Sequence, residues 1–157
     1  MDGRIEPAET DFIAACLSET WGLPVITVAR DYMPEDLDGG FLWRDGAGEA
    51  QGLVTWAIDG DHAEIVTMDA FIQGVHIGGR LLDAAEAELA GRGVRRLSIT
   101  TTNDNLRALA FYVRRGYRLV RLHLDGVDRV RAAKPGVPAM GNEGVPLRDM
   151  WELEKNL

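Results

Sequence analysis

Apolar positions change their spacing several times along the chain, and each change predicts an element. Over residues 8–20, Ala8, Phe12, Ala15, Cys16 and Leu17 recur at helical intervals. Thr10 or Asp11 stands where a cap would, and Gly22-Leu23-Pro24 closes the helix. Residues 25–28 are a short β-branched run, and the polar, turn-rich stretch 31–40 reads as a loop. Residues 41–44, 52–58 and 63–70 read as three strands joined by Asp45-Gly46-Ala47-Gly48 and the tight Asp59-Gly60-Asp61 connection, an antiparallel meander. Leu81, Leu82, Ala85 and Leu89, with Asp83, Glu86 and Glu88 between them, predict an amphipathic helix ended by Gly91 or Gly93. A strand over 95–102, a second amphipathic helix over 106–115 with Gly116 as its stop, and a strand over 117–124 follow. Residues 134–146 carry Pro135, Pro138, Pro146, Gly136, Gly141 and Gly144 and read as a loop. Residues 147–153 have the register of a final strand; too few residues follow for the loop to be an interdomain linker.

This order predicts an α/β (α+β) fold whose sheet is antiparallel first and parallel around one central crossover. A length of 157 residues fits a single domain spanning 1–157, with 134–157 as a tail loop and last strand. A hydrophobic share of 46% against 27% charged residues fits a globular chain. No apolar run reaches the ~18 residues of a membrane span, and the N-terminus lacks the charge-then-apolar pattern of a signal peptide. Membrane partners are therefore not expected and a cytoplasmic location is. The net charge of −8 argues against a nucleic-acid binder, which needs a basic face, and favours a cationic partner. Cys16 is the one cysteine and cannot form an internal disulfide; its apolar neighbours read as those of a buried thiol.

Candidate chemistry lies in two segments. Gln73-Gly74-Val75-His76-Ile77-Gly78-Gly79 joins a strand to a helix. Its glycines let backbone approach a ligand, and the helix start offers unpaired N–H groups and the positive end of its dipole, suited to pyrophosphate. The dinucleotide pattern GxGxxG is not met. In the second segment, residues 100–117, Asn105 can cap the following helix and Tyr112 lies close to two turns on, sharing its face. Phe111 can pack while Tyr112 offers its hydroxyl to a wet site. Glu64, on the strand feeding the glycine loop, and Asp69, near its end, are either bases for an ammonium proton or plain strand-edge carboxylates.

Both segments resemble motifs of the GNAT superfamily of N-acetyltransferases. The cofactor loop of that family reads Gln/Arg-x-x-Gly-x-Gly/Ala; Gln73 and Gly78 match, and His76 replaces a glycine. The second pattern, Asn-x-x-Ala-x-x-Phe-Tyr-x-x-x-Gly-Phe/Tyr, is matched by Asn105, Ala108, Phe111, Tyr112, Gly116 and Tyr117. The tail (Ala132-Ala133-Lys134-Pro135-Gly136, then Gly144-Val145-Pro146-Leu147) is similar to the ends of an uncharacterised bacterial subgroup. The resemblance implies a mostly antiparallel sheet of six or seven strands with a central splayed parallel pair, residues 63–70 and 95–102, and helices on both faces. It implies acetyl-coenzyme A as co-substrate and no metal. Backbone near Met68, Asp69 and Ala70 would hold the pantetheine arm, residues 73–79 the pyrophosphate, and Asn105 the pantetheine. Tyr112 would act as general acid toward the leaving thiolate, and a primary amine on a small molecule or peptide would attack directly. A non-catalytic acyl-coenzyme A sensor on the same fold is the alternative, kept open by His76. A homodimer formed through the exposed strand near the C-terminus is a further expectation.

Overall fold

The computed structural model describes residues 2–71 and 76–157. The elements are β1 Gly3–Pro7, α1 Thr10–Thr20, β2 Val25–Ile26, β3 Asp31–Tyr32, β4 Gly39–Asp45, β5 Ala50–Asp59, β6 His62–Ala70, α2 Ile77–Gly91, β7 Arg96–Thr102, α3 Leu106–Arg114, β8 Arg118–His123, α4 Val127–Ala133 and β9 Met150–Asn156. Among the described residues a seven-stranded sheet runs in the order β1-β4-β5-β6-β7-β9-β8, mostly antiparallel with one parallel pair, and β2 and β3 form a separate small ribbon. The chain divides into two compact units, Met1–Val25 with Asp31–Leu97 and Leu157, and Ile26–Arg30 with Ser98–Asn156.

In the first unit the meander carries helices on both faces. Leu42 of β4 pairs with Leu53 of β5, and both are buried against Ile13 and Leu17 of α1. The next pair along, Trp43 with Gly52, turns to the other face, where α2 packs. A β-carbon on Gly52 would stand 2.7 Å from Ile77 Cγ2 and 2.9 Å from Leu81 Cδ1, so the missing side chain is what seats the start of α2. Because both faces are covered, β5 is buried without interruption from Gly52 to Trp56 and β6 from Ala63 to Thr67. The two buried hydroxyls in this stretch, Thr55 and Thr67, satisfy each other across the pair at 2.7 Å.

The pairing of β5 with β6 shifts register between Thr55 and Trp56: Thr55 faces Thr67 but Trp56 faces Ile65, so Val66 is an extra residue in β6. A bulge of this kind flips the side-chain alternation on one side of it. It has a direct consequence for the site.

In the second unit α3 begins on Asn105, whose Oδ1 accepts from the Ala108 N–H at 3.1 Å. It ends on Gly116 at φ +93, with the Tyr117 N–H donating back to the Tyr112 carbonyl, as a left-handed glycine stop requires. The tail is stitched down by the residues just before α3. Asn103 Oδ1 accepts from the backbone N–H groups of Arg148 and Asp149, each at 3.0 Å, and its amide donates to the Pro146 carbonyl. Buried Asp104 accepts from the Asn142 N–H at 2.9 Å and its side chain at 3.1 Å, and from Thr102.

Several elements depart from the sequence reading. β1 was not foreseen; its alternation is short and its residues half-exposed. Within 31–40, β3 and a 3₁₀ turn Pro34–Asp36 replace a plain loop, the turn held by Asp36 Oδ2 accepting from the Met33 N–H at 2.8 Å. Helix α4, absent from the reading, precedes the tail loop. The last strand starts at Met150, three residues late, because the N–H groups of Arg148 and Asp149 go to Asn103 instead of a strand ladder. Of the two glycines offered as the stop of α2, Gly91 is its last residue and Gly93, at φ +89, is the left-handed one.

Candidate functional site

The end of β6 and the start of α2 are the chemically richest part of the first unit. Gln73, Gly74 and Val75 lie outside the described residues. His76 is exposed and precedes α2 with φ 58 and ψ 20, the left-handed conformation. At this position, where the family pattern has glycine, the chain takes the glycine-like backbone. Ile77, Gly78 and Gly79 then form the first turn of α2, with Ile77 and Gly79 buried. No acidic residue stands in that turn, so nothing opposes the positive end of the helix dipole. Arg80 follows, its guanidinium carbon 5.2 Å from the centroid of the Trp43 ring. Two glycines, a left-handed entry and no carboxylate are what a helix start needs to receive pyrophosphate through its backbone N–H groups.

The two candidate bases are positioned differently from one another. Asp69 pairs with Leu53, and Glu64 with Ala57. Leu53 and Ala57 belong to the α1 face, so both carboxylates point there. Five residues apart in an unbroken strand they would point to opposite faces; the extra residue at Val66 brings them to one. They are not adjacent: at ~3.3 Å per residue they stand on the order of 15 Å apart along β6. Glu64 is buried in the middle of the strand and Asp69 lies near its half-open end, beside half-buried Met68 and exposed Ala70.

Asp69 has a partner that the sequence reading missed. Trp21, directly after α1, donates its indole N–H to Asp69 Oδ2 at 2.8 Å. Helix α1 buries Ile13 and Leu17, and Trp21 is the next residue on that four-residue repeat; extending the stripe by one turn would have found it. Gly22, at φ +69, then turns the chain away and leaves the indole at the helix end. Burial pushes the Asp69 carboxyl above its ordinary range, and the Trp21 hydrogen bond opposes this in part. Cys16 lies on the same side of α1, its Sγ 3.9 Å from Thr20 Oγ1; burial raises its thiol, Thr20 lowers it, and the Asp69 and Glu19 charges raise it further.

In the second unit Asn105 holds the cap described above. Tyr112 is 7% exposed, so its ring is buried and not a surface group. It meets Phe111 edge-on at 5.3 Å and Tyr117 at 5.7 Å between ring centroids.

Comparison with known proteins accounts for this assembly. Residues 9–117 match the family described as Acetyltransferase (GNAT) family. YxbD, an uncharacterized protein of Bacillus subtilis strain 168, is 36% identical over 148 residues, covering 94% of this chain and 92% of the relative. Among solved structures, the IAA acetyltransferase of Bacillus cereus ATCC 14579 superposes with a TM-score of 0.79 at 21% identity, covering 99% of this chain and 100% of that one. A GNAT family acetyltransferase from Elizabethkingia anophelis with acetyl-CoA bound gives 0.75 at 18% identity, with 99% of each chain covered. At these identities the structures speak to the fold, and the match over residues 9–117 to membership: the chain belongs to the GNAT acetyltransferase family.

Proposed function

We propose that this chain, as one catalytic domain over residues 1–157, moves the acetyl group of acetyl-coenzyme A to a primary amine by direct attack within a ternary complex. The observation that carries this reading is the start of α2: a left-handed His76, the side-chain-free Gly78 and Gly79, and a first turn without acid. In this role the N–H groups of residues 73–79 bind the pyrophosphate, and backbone around Met68, Asp69 and Ala70 binds the pantetheine arm and polarises the thioester carbonyl. Asn105 contacts the pantetheine. Tyr112 gives its proton to the leaving thiolate, an effect of roughly 10²–10⁴-fold. Glu64 and Asp69 are the candidate bases for the ammonium. Orientation of the two reactants does most of the work, removing about 7–11 kcal/mol of barrier. Cys16 is given no part in the transfer: burial pushes its thiol up, which suits a mechanism without an acyl-enzyme. A sensor without turnover is the second reading, kept open by His76; the glycine-like backbone at that residue supports the first.

The test is thermal unfolding with acetyl-coenzyme A, coenzyme A and desulfo-coenzyme A, followed by thiol release over a panel of amines. Binding to the folded state raises the melting temperature by mass action. No shift with any of the three at millimolar concentration refutes the reading. Tyr112→Phe is expected to lower turnover while leaving acetyl-coenzyme A affinity intact; equal loss of both would remove Tyr112 from the role of acid.

A further inference from the structure

β9 lies between β7 and β8, and among the described residues no strand follows β8, so one edge of the β8 backbone has no ladder partner. Natural edge strands are commonly short, charged or bulged, and this one carries a bulge. Leu119 faces Leu153 of β9 but Arg121 faces Glu152, so Val120 is an extra residue in β8. The run Arg118-Leu119-Val120-Arg121-Leu122 repeats every three positions, and strict alternation would scatter it over both faces. The bulge sorts it. Arg118 and Arg121 fall on one face, opposite Glu154 and Glu152, and Leu119 and Leu122 fall on the other, opposite Leu153 and Trp151. The sorted side chains are left uncovered. Leu153 is fully buried, but Leu119 is 48% and Leu122 51% exposed, with Val120 at 47% between them. Exposed Arg121 reaches Glu152 at 3.6 Å, and the same carboxylate is shared with His123 at 3.2 Å.

The charge of this unit is opposite to that of the whole chain. The chain carries 17 Lys and Arg against 25 Asp and Glu, whereas the second unit carries eleven against seven, so it draws an anionic partner. β9 shows what β8 pairs with: an extended segment that sets glutamate against arginine and apolar side chains against leucine. A second copy of β8 fits less well. Antiparallel pairing about a two-fold axis keeps each face on its own side, which gathers the arginines of both copies together. Nucleic acid would meet the arginines and leave the leucines and the open ladder unused.

We infer that the open edge of β8 is a docking site for an extended acidic segment of another protein, with acidic and apolar residues alternating, which adds to the sheet as a further strand. The β8 backbone supplies main-chain hydrogen bonds, Arg118 and Arg121 take the acidic side chains, and Leu119 and Leu122 take the apolar ones. This inference stands apart from the acetyl-transfer reading and uses none of its residues.

The experiment is fluorescence anisotropy of labelled seven-residue peptides titrated with the full chain at low and high salt. One peptide alternates glutamate with leucine, one alternates lysine with leucine, and one is the glutamate peptide N-methylated at every residue, which removes its ladder donors. The glutamate peptide should bind saturably and weaken as salt rises. The lysine and methylated peptides should each bind at least about tenfold more weakly. Arg118→Glu combined with Arg121→Glu should reverse the order of the glutamate and lysine peptides. Leu119→Ser combined with Leu122→Ser should weaken the glutamate peptide about tenfold or more. Melting curves show which variants are folded; if the arginine pair is not, Arg118→Gln alone should cost the glutamate peptide about threefold and leave the lysine peptide no weaker. No saturable binding of the glutamate peptide at millimolar concentration, equal binding of the glutamate and lysine peptides, or undiminished binding of the methylated one would overturn the inference. A dimer in sedimentation velocity that Leu122→Glu dissolves would assign the edge to a second copy, and tighter binding of a labelled DNA duplex than of the glutamate peptide would assign the face to nucleic acid; either would overturn it as well.

Discussion

Replacing His76 with glycine separates the backbone at the start of α2 from the side chain that occupies it. His76 sits at φ 58 and ψ 20, is exposed, and makes no side-chain cap. A β-carbon in left-handed backbone costs about 1–2 kcal/mol, which glycine would recover. Against that, glycine frees the unfolded chain and loses about 0.4–1 kcal/mol. The net is a gain of about 0–1.6 kcal/mol, and at about 2–4 °C per kcal/mol for a chain of this size His76→Gly should melt about 0–6 °C higher than wild type. Affinity for acetyl-coenzyme A should stay within about twofold, since the N–H groups of the turn are already held as a glycine would hold them. Differential scanning calorimetry with and without the ligand reads both quantities. A fall in melting temperature would mean that the histidine ring contributes contacts that outweigh the strain. A tenfold gain in affinity would mean that the ring obstructs the pyrophosphate and that backbone conformation alone does not set the affinity of this turn.

Three further outcomes follow from particular contacts. Gly78→Glu introduces bulk and negative charge in the first turn of α2 and should weaken acetyl-coenzyme A binding at least tenfold by calorimetry; unchanged affinity would remove this turn from the phosphate site. Gly141→Ala would set a β-carbon 2.2 Å from Asp104 Oδ2, so the loop must give way from the carboxylate that anchors it. A loss of about 1–3 kcal/mol in urea unfolding is expected, together with faster proteolysis within 134–149. Asp69→Asn should alter how stability depends on pH. The folded chain binds the Asp69 proton more tightly than the unfolded chain, so wild-type stability declines as pH rises through the interval above the ordinary carboxylate range. Asparagine does not titrate and still accepts from Trp21, so in melts from pH 4 to 8 the variant should lose that decline and exceed wild type at neutral pH; parallel profiles would refute the raised carboxyl.

The parts of the fold that were legible in the sequence are those set by local rules. The meander from β4 to β6, helices α2 and α3, and the glycine stops follow from alternation, from a helical stripe and from residues that tolerate positive φ. What escaped depends on distant partners. The start of β9 is fixed by Asn103, some 45 positions earlier in the chain, whose side chain takes the N–H groups that periodicity would have given to a ladder. Asn105 was readable as a cap because its partner Ala108 is one turn away. The stripe of α1 extends to Trp21, but the Asp69–Trp21 bond spans 48 positions and nothing local names the partner.

The extra residue at Val66 shows why the candidate bases could not be ordered from the sequence. Strict alternation would give Glu64 and Asp69 opposite faces and force a choice between them. The bulge turns both to the side occupied by α1, so face no longer discriminates, and the decision passes to depth. Glu64 lies in the fully buried stretch of β6, where a charged amine would have to be stripped of its water to arrive. Asp69 stands where the burial relaxes, beside the partly exposed Trp21, whose N–H fixes one oxygen. A base must be reachable by its substrate before its basicity matters. By that criterion Asp69 is the carboxylate to remove first, and Glu64→Gln serves as its control: the same change of charge, five residues deeper on the same face.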